Sequence, residues 1–291
     1  MTLQAAPAIE DGLPSEEEVR LYEERGYHVA PAIVPLETLD AVRDALDAYQ
    51  SDARDRSLAA RGGFADWRPG DAGAVRNHEF ASLQSDVVRR LVHLPVLGRI
   101  AARLARSEAV RLFDDQLVCK PPGGGDAGRT VVGWHTDGSY WSTCTSERML
   151  TAWIPLQDTD AGNGTLCVVS GSHLWPESDH VRGFNDTDLA SIGRRIGREV
   201  PPERVVSIPL RKGQVSFHHM RALHASTPNV SDGPRIAVAL HMQDAENRHR
   251  EFRTPDGTAV ELPHDRLCAR GPDGRPDYRD PEVFPQLWPA A

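Results

Sequence analysis

Residues 131–137 read V-V-G-W-H-T-D, an apolar run that ends in a histidine and an aspartate two positions apart. The run has the composition of a strand, and alternate strand residues point to the same face. His135 and Asp137 therefore project side by side. The same texture repeats outward from this stretch. After Ser107 come V-R-L-F-D-D-Q-L-V-C (110–119), M-L-T-A-W-I-P-L (149–156) and G-T-L-C-V-V-S (164–170). They are followed by V-V-S-I-P-L (205–210), Q-V-S-F-H-H (214–219) and I-A-V-A-L-H-M (236–242). Gly, Pro, Asn and Asp between the runs supply turns. Seven or more strands at this spacing predict a mainly β fold, a sandwich or barrel, with flanking helices.

The helices are expected ahead of the strands. S-E-E-E-V-R-L-Y-E-E-R-G (15–26) opens on a capping serine, carries acidic residues in its first turn and stops at Gly26. Tyr27 to Val34 reads as a strand. Leu36, Leu39, Val42, Leu46 and Tyr49 recur at helical spacing, and residues 84–106 return to helix with Pro95 interrupting. Residues 1–14 read as a disordered lead, 51–75 as a polar loop or lid, and 176–204 as a polar insertion at a substrate rim. The organisation predicted is one domain over 15–291. It has a helical part to 106, a β core over 107–245 and an irregular tail over 246–291 that wraps the surface.

Composition narrows the function. The chain has 291 residues and a net charge of −9, an acidic balance that argues against nucleic acid and anionic lipid as partners. No run approaches the ~20 apolar residues of a membrane span, and the N-terminus lacks the basic and apolar regions of a signal peptide. The four cysteines form no C-x-x-C pair. They read as reduced core thiols, which with the rest predicts a cytoplasmic protein.

An H-x-D pair alone is weak evidence for a metal. Of the twelve histidines, however, His224 lies at a turn after a strand-like run and has Arg235 eleven residues further on. Two histidines and one carboxylate on one face of an ion leave the opposite positions open, the pattern of non-heme Fe(II) oxygenases. His218 and His219 compete as ligands, but eleven residues beyond His218 stands Asn229, not a cation. They are expected to be strand residues.

Several ordered motifs then carry a resemblance. These are E-R-G-Y-H-V (24–29), C-K-P-P (119–122), W-H-T-D-G-S-Y-W (134–141) and L-T-A-W-I-P-L (150–156). N-G-T-L-C-V-V-S-G-S-H (163–173), G-Q-V-S-F-H-H-M-R-A-L-H-A-S-T-P-N (213–229) and R-I-A-V-A-L-H-M (235–242) complete them. Together they resemble the phytanoyl-CoA dioxygenase family of Fe(II)/2-oxoglutarate oxygenases, over most of the chain. The resemblance implies a double-stranded β-helix, or jelly roll. It implies Fe(II) held by His135, Asp137 and His224, with 2-oxoglutarate and O2 as cosubstrates. Arg235 would pair with the distal carboxylate of 2-oxoglutarate through its guanidinium fork. Ser226, Trp153, Gln116 and Thr136 match cosubstrate-lining positions, and Arg76 matches a basic one more loosely. Asp137 argues against chlorination, since related halogenases lack that carboxylate. The implied reaction is hydroxylation, or another two-electron oxidation, of a small molecule.

The substrate is not legible. Tyr140, Trp141, Trp175, Met220, Met242 and Gln243 are candidate lining residues near the motifs. An Ala-, Arg-, Asp- and Gly-rich composition points to a GC-rich bacterial genome and secondary metabolism. An acyl-CoA hydroxylase is the alternative, with Arg194, Arg195 and Arg198 as a basic rim for the CoA phosphates. A non-catalytic metal- or metabolite-binding β-sandwich and a cupin-like isomerase or hydrolase complete the alternatives; neither would consume 2-oxoglutarate.

Overall fold

Ser15 opens the first helix as expected. Its hydroxyl accepts from the Glu18 N–H, and the Glu18 carboxylate reaches back to the Ser15 N–H at 2.7 Å, a capping box. Gly26 ends the helix with φ +80°, a left-handed conformation that costs glycine little. This computed structural model describes residues 12–58, 62–71, 75–122 and 128–289. Most of the expected disordered lead lies outside them, while Leu13 packs on the core.

The elements follow in order: α1 (Glu16–Arg25), β1 (Tyr27–Ala32), α2 (Leu36–Gln50), β2 (Arg76–Glu79), α3 (Ala81–Gln84), α4 (Asp86–Val92) and α5 (Pro95–Leu104). Then come β3 (Val110–Lys120), β4 (Val132–His135), β5 (Leu150–Pro155), β6 (Leu166–Val169) and α6 (Ile192–Ile196). The chain finishes with β7 (Val205–Ile208), β8 (Gln214–His219), β9 (His224–Ser226), β10 (Arg235–Asp244), α7 (Pro263–Leu267) and β11 (Gln286–Trp288). Pro95 sits at the first position of α5, so the apolar stretch 84–106 becomes separate short helices.

Two antiparallel sheets form a jelly roll. The larger, of seven strands, runs β1-β8-β5-β10-β3-β11, with β2 also on β3; the smaller runs β4-β9-β6-β7. Alternation divides the strands cleanly. On β10, Ile236, Val238 and Leu240 face the helices and join Val19, Leu39, Leu91, Leu97 and Ile100 in the main core. Arg235, Ala239 and His241 face inward to a chamber between the sheets. The apolar outer face anchors the sheet, and the inner face is released for polar work.

The last forty-odd residues depart from the expectation of an irregular surface wrap. They contain α7 and β11, and β11 pairs with β3 at Gln286–Arg111. Tyr278 and Phe284 are buried against Phe113, at ring centroids 5.5 and 5.8 Å away. Isolated aromatic anchors among Pro, Asp and Arg have no periodicity, which hides them from pattern reading.

Candidate active site

β4 and β9 pair antiparallel, and their register sets His135 directly across from His224. The two imidazole centroids are 4.1 Å apart. His135 Nδ1 donates to the Gly133 carbonyl at 2.8 Å, and His224 Nδ1 donates to the Ala222 carbonyl at 3.0 Å. Each bond fixes a tautomer and leaves Nε2 with a free lone pair. Asp137 Oδ1 lies 3.8 Å from Nε2 of His135 and 3.5 Å from Nε2 of His224. The three donor atoms fall within 4.8 Å of one another, close enough to share one ion. Gly133 is required here for space: a Cβ would meet the carbonyl oxygens of Asp186 and Gly183 at 2.1 and 2.2 Å.

The other oxygen of Asp137 is held from behind. Its Oδ2 accepts from Thr151 Oγ1 at 2.6 Å and from His218 Nε2 at 3.2 Å. Thr151 Oγ1 also meets His241 Nδ1 at 2.7 Å. Burial pushes the Asp137 carboxyl up, but the surrounding imidazoles and the His218 hydrogen bond reverse this and hold it well below its usual range. Burial drives His224 well below the ordinary histidine value, reinforced by His135 and His218. Burial likewise lowers His135. An ionised carboxylate and neutral imidazoles are the protonation states that a metal requires.

His218 and His241 are thus part of the site, though His218 was expected to be a plain strand residue and His241 was not singled out. Strand alternation is the signal for His241, which stands six residues after Arg235 and so on the same face.

Arg235 closes the far end of the inner chamber. It is 2% exposed, and its Nη2 reaches Ser226 Oγ at 3.4 Å. Its Nε has no hydrogen-bond partner, and among the described residues no carboxylate pairs with it. Burial lowers its pKa to about 10, so it stays charged at neutral pH. Trp153 lies with its ring centroid 5.5 Å from the guanidinium carbon. Gln116, Trp153, Ser226 and Arg235 line the chamber together with the two histidines and Asp137.

Thr136 goes elsewhere. It lies between His135 and Asp137 on the alternate face, and its hydroxyl donates to the Ser178 carbonyl at 3.3 Å. Arg76 pairs in register with Cys119, on the helix side of the sheet, and donates to Gln50 at 2.7 Å. The neighbours Asn77 and Glu79 point inward in its place.

Beyond the donors the chamber opens into a cleft of about 1100 Å³. Tyr140 and Trp141 line it as expected, and the polar insertion contributes Phe184, Asn185 and Thr187 to its rim. Phe64 and Trp67 come from the loop read as a lid, parts of which fall outside the described residues. Trp175, Met220 and Met242 are packed into hydrophobic clusters instead. Gln243 spends its amide on the Leu112 and Tyr278 carbonyls.

A jelly roll with two histidines and a carboxylate facing a buried chamber defines the cupin-like, metal-dependent oxygenases as a class. A model of the phytanoyl-CoA dioxygenase (PhyH) family matches residues 22–237. The chain belongs to that family, whose enzymes are Fe(II)/2-oxoglutarate-dependent dioxygenases. It is 34% identical over 130 residues to 1-deoxypentalenic acid 11-beta-hydroxylase of Streptomyces arenae, covering 40% of this chain and 42% of that protein. Less than half of that relative's length is therefore matched. Ectoine dioxygenase of Bordetella bronchiseptica is 26% identical over 245 residues, 80% of this chain and 76% of that one. Among solved structures, the non-heme alpha ketoglutarate dependent carbocyclase SnoK from nogalamycin biosynthesis superposes with a TM-score of 0.68. The identity is 27%, over 97% of this chain and 99% of that one. The epimerase SnoN, solved with Fe3+, alpha ketoglutarate and nogalamycin RO, gives a TM-score of 0.67 at 26% identity, over 94% and 98% of the two chains.

No described helix is long and apolar enough to cross a membrane.

Proposed function

We propose that this chain is an Fe(II)/2-oxoglutarate-dependent dioxygenase that hydroxylates, or otherwise oxidises, an unactivated C–H bond of a small molecule in bacterial secondary metabolism. Succinate and CO2 are the coproducts. The observation that carries the reading is Arg235: a fully buried guanidinium, paired with no carboxylate among the described residues, at the end of a chamber that begins at His135, Asp137 and His224. A buried, unpaired charge is costly. A dicarboxylate entering the chamber removes that cost at one end and reaches the metal donors with the other.

His135, Asp137 and His224 would hold Fe(II), and the bound metal and cosubstrate would supply the oxidising power. The protein's part is placement and protection. Arg235 binds the distal carboxylate as a fork, with the Ser226 hydroxyl beside it. Trp153 and Gln116 wall the cosubstrate. The Thr151 and His218 hydrogen bonds keep Oδ1 of Asp137 turned toward the histidines, so the donor set is organised before the ion arrives. The buried free cysteines fit a reducing, cytoplasmic setting.

The acyl-CoA alternative is less well served. Arg194, Arg195 and Arg198 face Asp188, Asp186 and Glu177, so a basic phosphate rim would have to break these pairs.

The direct test is anaerobic titration of Fe(II) and 2-oxoglutarate into metal-free protein. A visible metal-to-ligand charge-transfer band is expected when both are present. Iron binding without the band would overturn the reading. A sharper prediction concerns Thr151→Val, which keeps the shape and removes the hydroxyl. Fe(II) affinity is expected to fall about 10–100-fold, the usual cost of losing a partner that orients a metal ligand. Isothermal titration would show it, and an unchanged affinity would dismiss the orienting role.

A further inference from the structure

The outer cleft carries a second polar constellation that the proposed chemistry does not use. Asp114 on β3 is 4% exposed. Its Oδ1 accepts the N–H groups of Asp115 and Phe80 at 2.7 and 3.4 Å. Its Oδ2 has His264 Nε2 at 3.6 Å, beyond hydrogen-bonding distance. Glu79, across from Gln116 in register, accepts from the Ala65 N–H at 2.9 Å and the Gln116 amide at 3.3 Å. Among the described residues, neither carboxyl is ion-paired with a lysine or arginine.

His264 supplies an independent observation. It is 5% exposed and stacks on Phe113 at 4.2 Å between centroids. Neither ring nitrogen has a hydrogen-bond partner. All three side chains line the cleft that opens on the metal donors. Burial raises Glu79 to about 7, with Asp114 adding to the effect, and burial raises Asp114 to about 8. Burial also drops His264 to about 4, so its imidazole is neutral. This wall is the electrostatic converse of Arg235: buried acid without its base.

We propose that Glu79, Asp114 and His264 bind a protonated amine of the primary substrate, which places that substrate among small molecules carrying a basic nitrogen. An ammonium has three N–H donors and no acceptor. Two carboxyls and an unpartnered imidazole on one wall offer it acceptors only, and the cation stabilises both carboxyls in their charged form. Tyr140, Trp141 and Phe184 on the remaining walls offer aromatic surface to the substrate body and to the cation. A hydroxyl in the same place would bring no charge to draw the two buried carboxyls into their ionised form.

The inference takes one thing from the oxygenase reading, that the substrate lies in this cleft. The test uses the iron- and 2-oxoglutarate-loaded enzyme under argon, with dansylcadaverine as a fluorescent amine. Its neutral isostere is the dansylamide of 5-aminopentanol. The amine is expected to bind at least about tenfold tighter than the alcohol, a difference of roughly 1.4 kcal/mol. In Glu79→Gln/Asp114→Asn that preference is expected to vanish. Equal binding of the two probes to the wild type, or no saturable binding of the amine, would overturn the proposal without reference to any variant. A preference that survives the double substitution would overturn it too. The charge-transfer band is read in the same samples, so a failed oxygenase reading appears as a missing band. A failed amine site appears as a present band with no preference for the amine.

Discussion

Arg235→Leu is expected to weaken 2-oxoglutarate binding by about 2–5 kcal/mol, roughly 30-fold to several thousand-fold, while leaving the folded protein as stable as before or more so. The two halves of this result come from one fact. The guanidinium is buried, its Nε is unpartnered, and no described carboxylate offsets its charge. Without cosubstrate it is a desolvated cation, and replacing such a group by an apolar one of similar volume tends to be neutral or stabilising. With cosubstrate it is one half of a charge-assisted fork, and truncation strands the other half. Leucine keeps an apolar side chain at the position and removes the guanidinium that lies by the Trp153 ring and reaches Ser226. Arg235→Lys is not expected to rescue binding, because a point charge on a flexible stem does not reproduce the fork. Titrating 2-oxoglutarate against the charge-transfer band, with urea unfolding in parallel, measures both halves. Unchanged affinity would mean that the dicarboxylate lies elsewhere.

Much of this site was legible because alternation holds from His135, the last residue of β4, through the extended backbone of Thr136 to Asp137. It set His135 and Asp137 on one face, and the same rule turns Thr136 to the other, where its hydroxyl meets Ser178. A motif match had placed Thr136 in the pocket, and periodicity overrules it. Arg76 fails in the same way. Cross-strand register puts it on the helix side and delivers Asn77 and Glu79 to the cleft. His241 was readable from its even spacing to Arg235. His218 was not, because its role depends on the pairing of β8 with β5, which sets it across from Thr151. No local pattern fixes a contact of that kind. The C-terminal segment was misread for a different reason: three-residue β11 and single anchors such as Phe284 have too little length to show a period.

The division between chamber and cleft has the same origin. The chamber is built by strands of both sheets, whose outward faces are locked into the core. The cleft adds side chains from the loops around 64–67 and 184–187 and from the start of α7 at 262–264. The metal donors sit on or beside paired strands, while the walls of the cleft mix strand residues such as Glu79 and Asp114 with side chains from connections, which carry no periodic signal in a sequence. That is why the sequence announced the reaction class and withheld the substrate.

Asp137→Ala is expected to reduce Fe(II) affinity by more than the 10–100-fold or so assigned to an orienting partner, because it removes a ligand and its charge together. It should also leave the histidine pair geometrically intact. His135 and His224 are fixed by their own backbone acceptors, Gly133 and Ala222, and by the register of β4 on β9. Neither bond passes through Asp137. What is lost is the charge that four imidazoles surround, along with the acceptor for Thr151 and His218. Those two side chains then keep each other company with His241 around a small void, at a modest cost in stability. Asp137→Asn separates shape from charge, since an amide retains an oxygen for the metal. It is expected to bind iron more tightly than the alanine variant and more weakly than the wild type. Fe(II) titration of the three proteins orders them. If the alanine variant bound iron as tightly as the wild type and still gave the 2-oxoglutarate band, the carboxylate would not be a ligand. The pair of histidines would then need another third donor, with His218 next in reach.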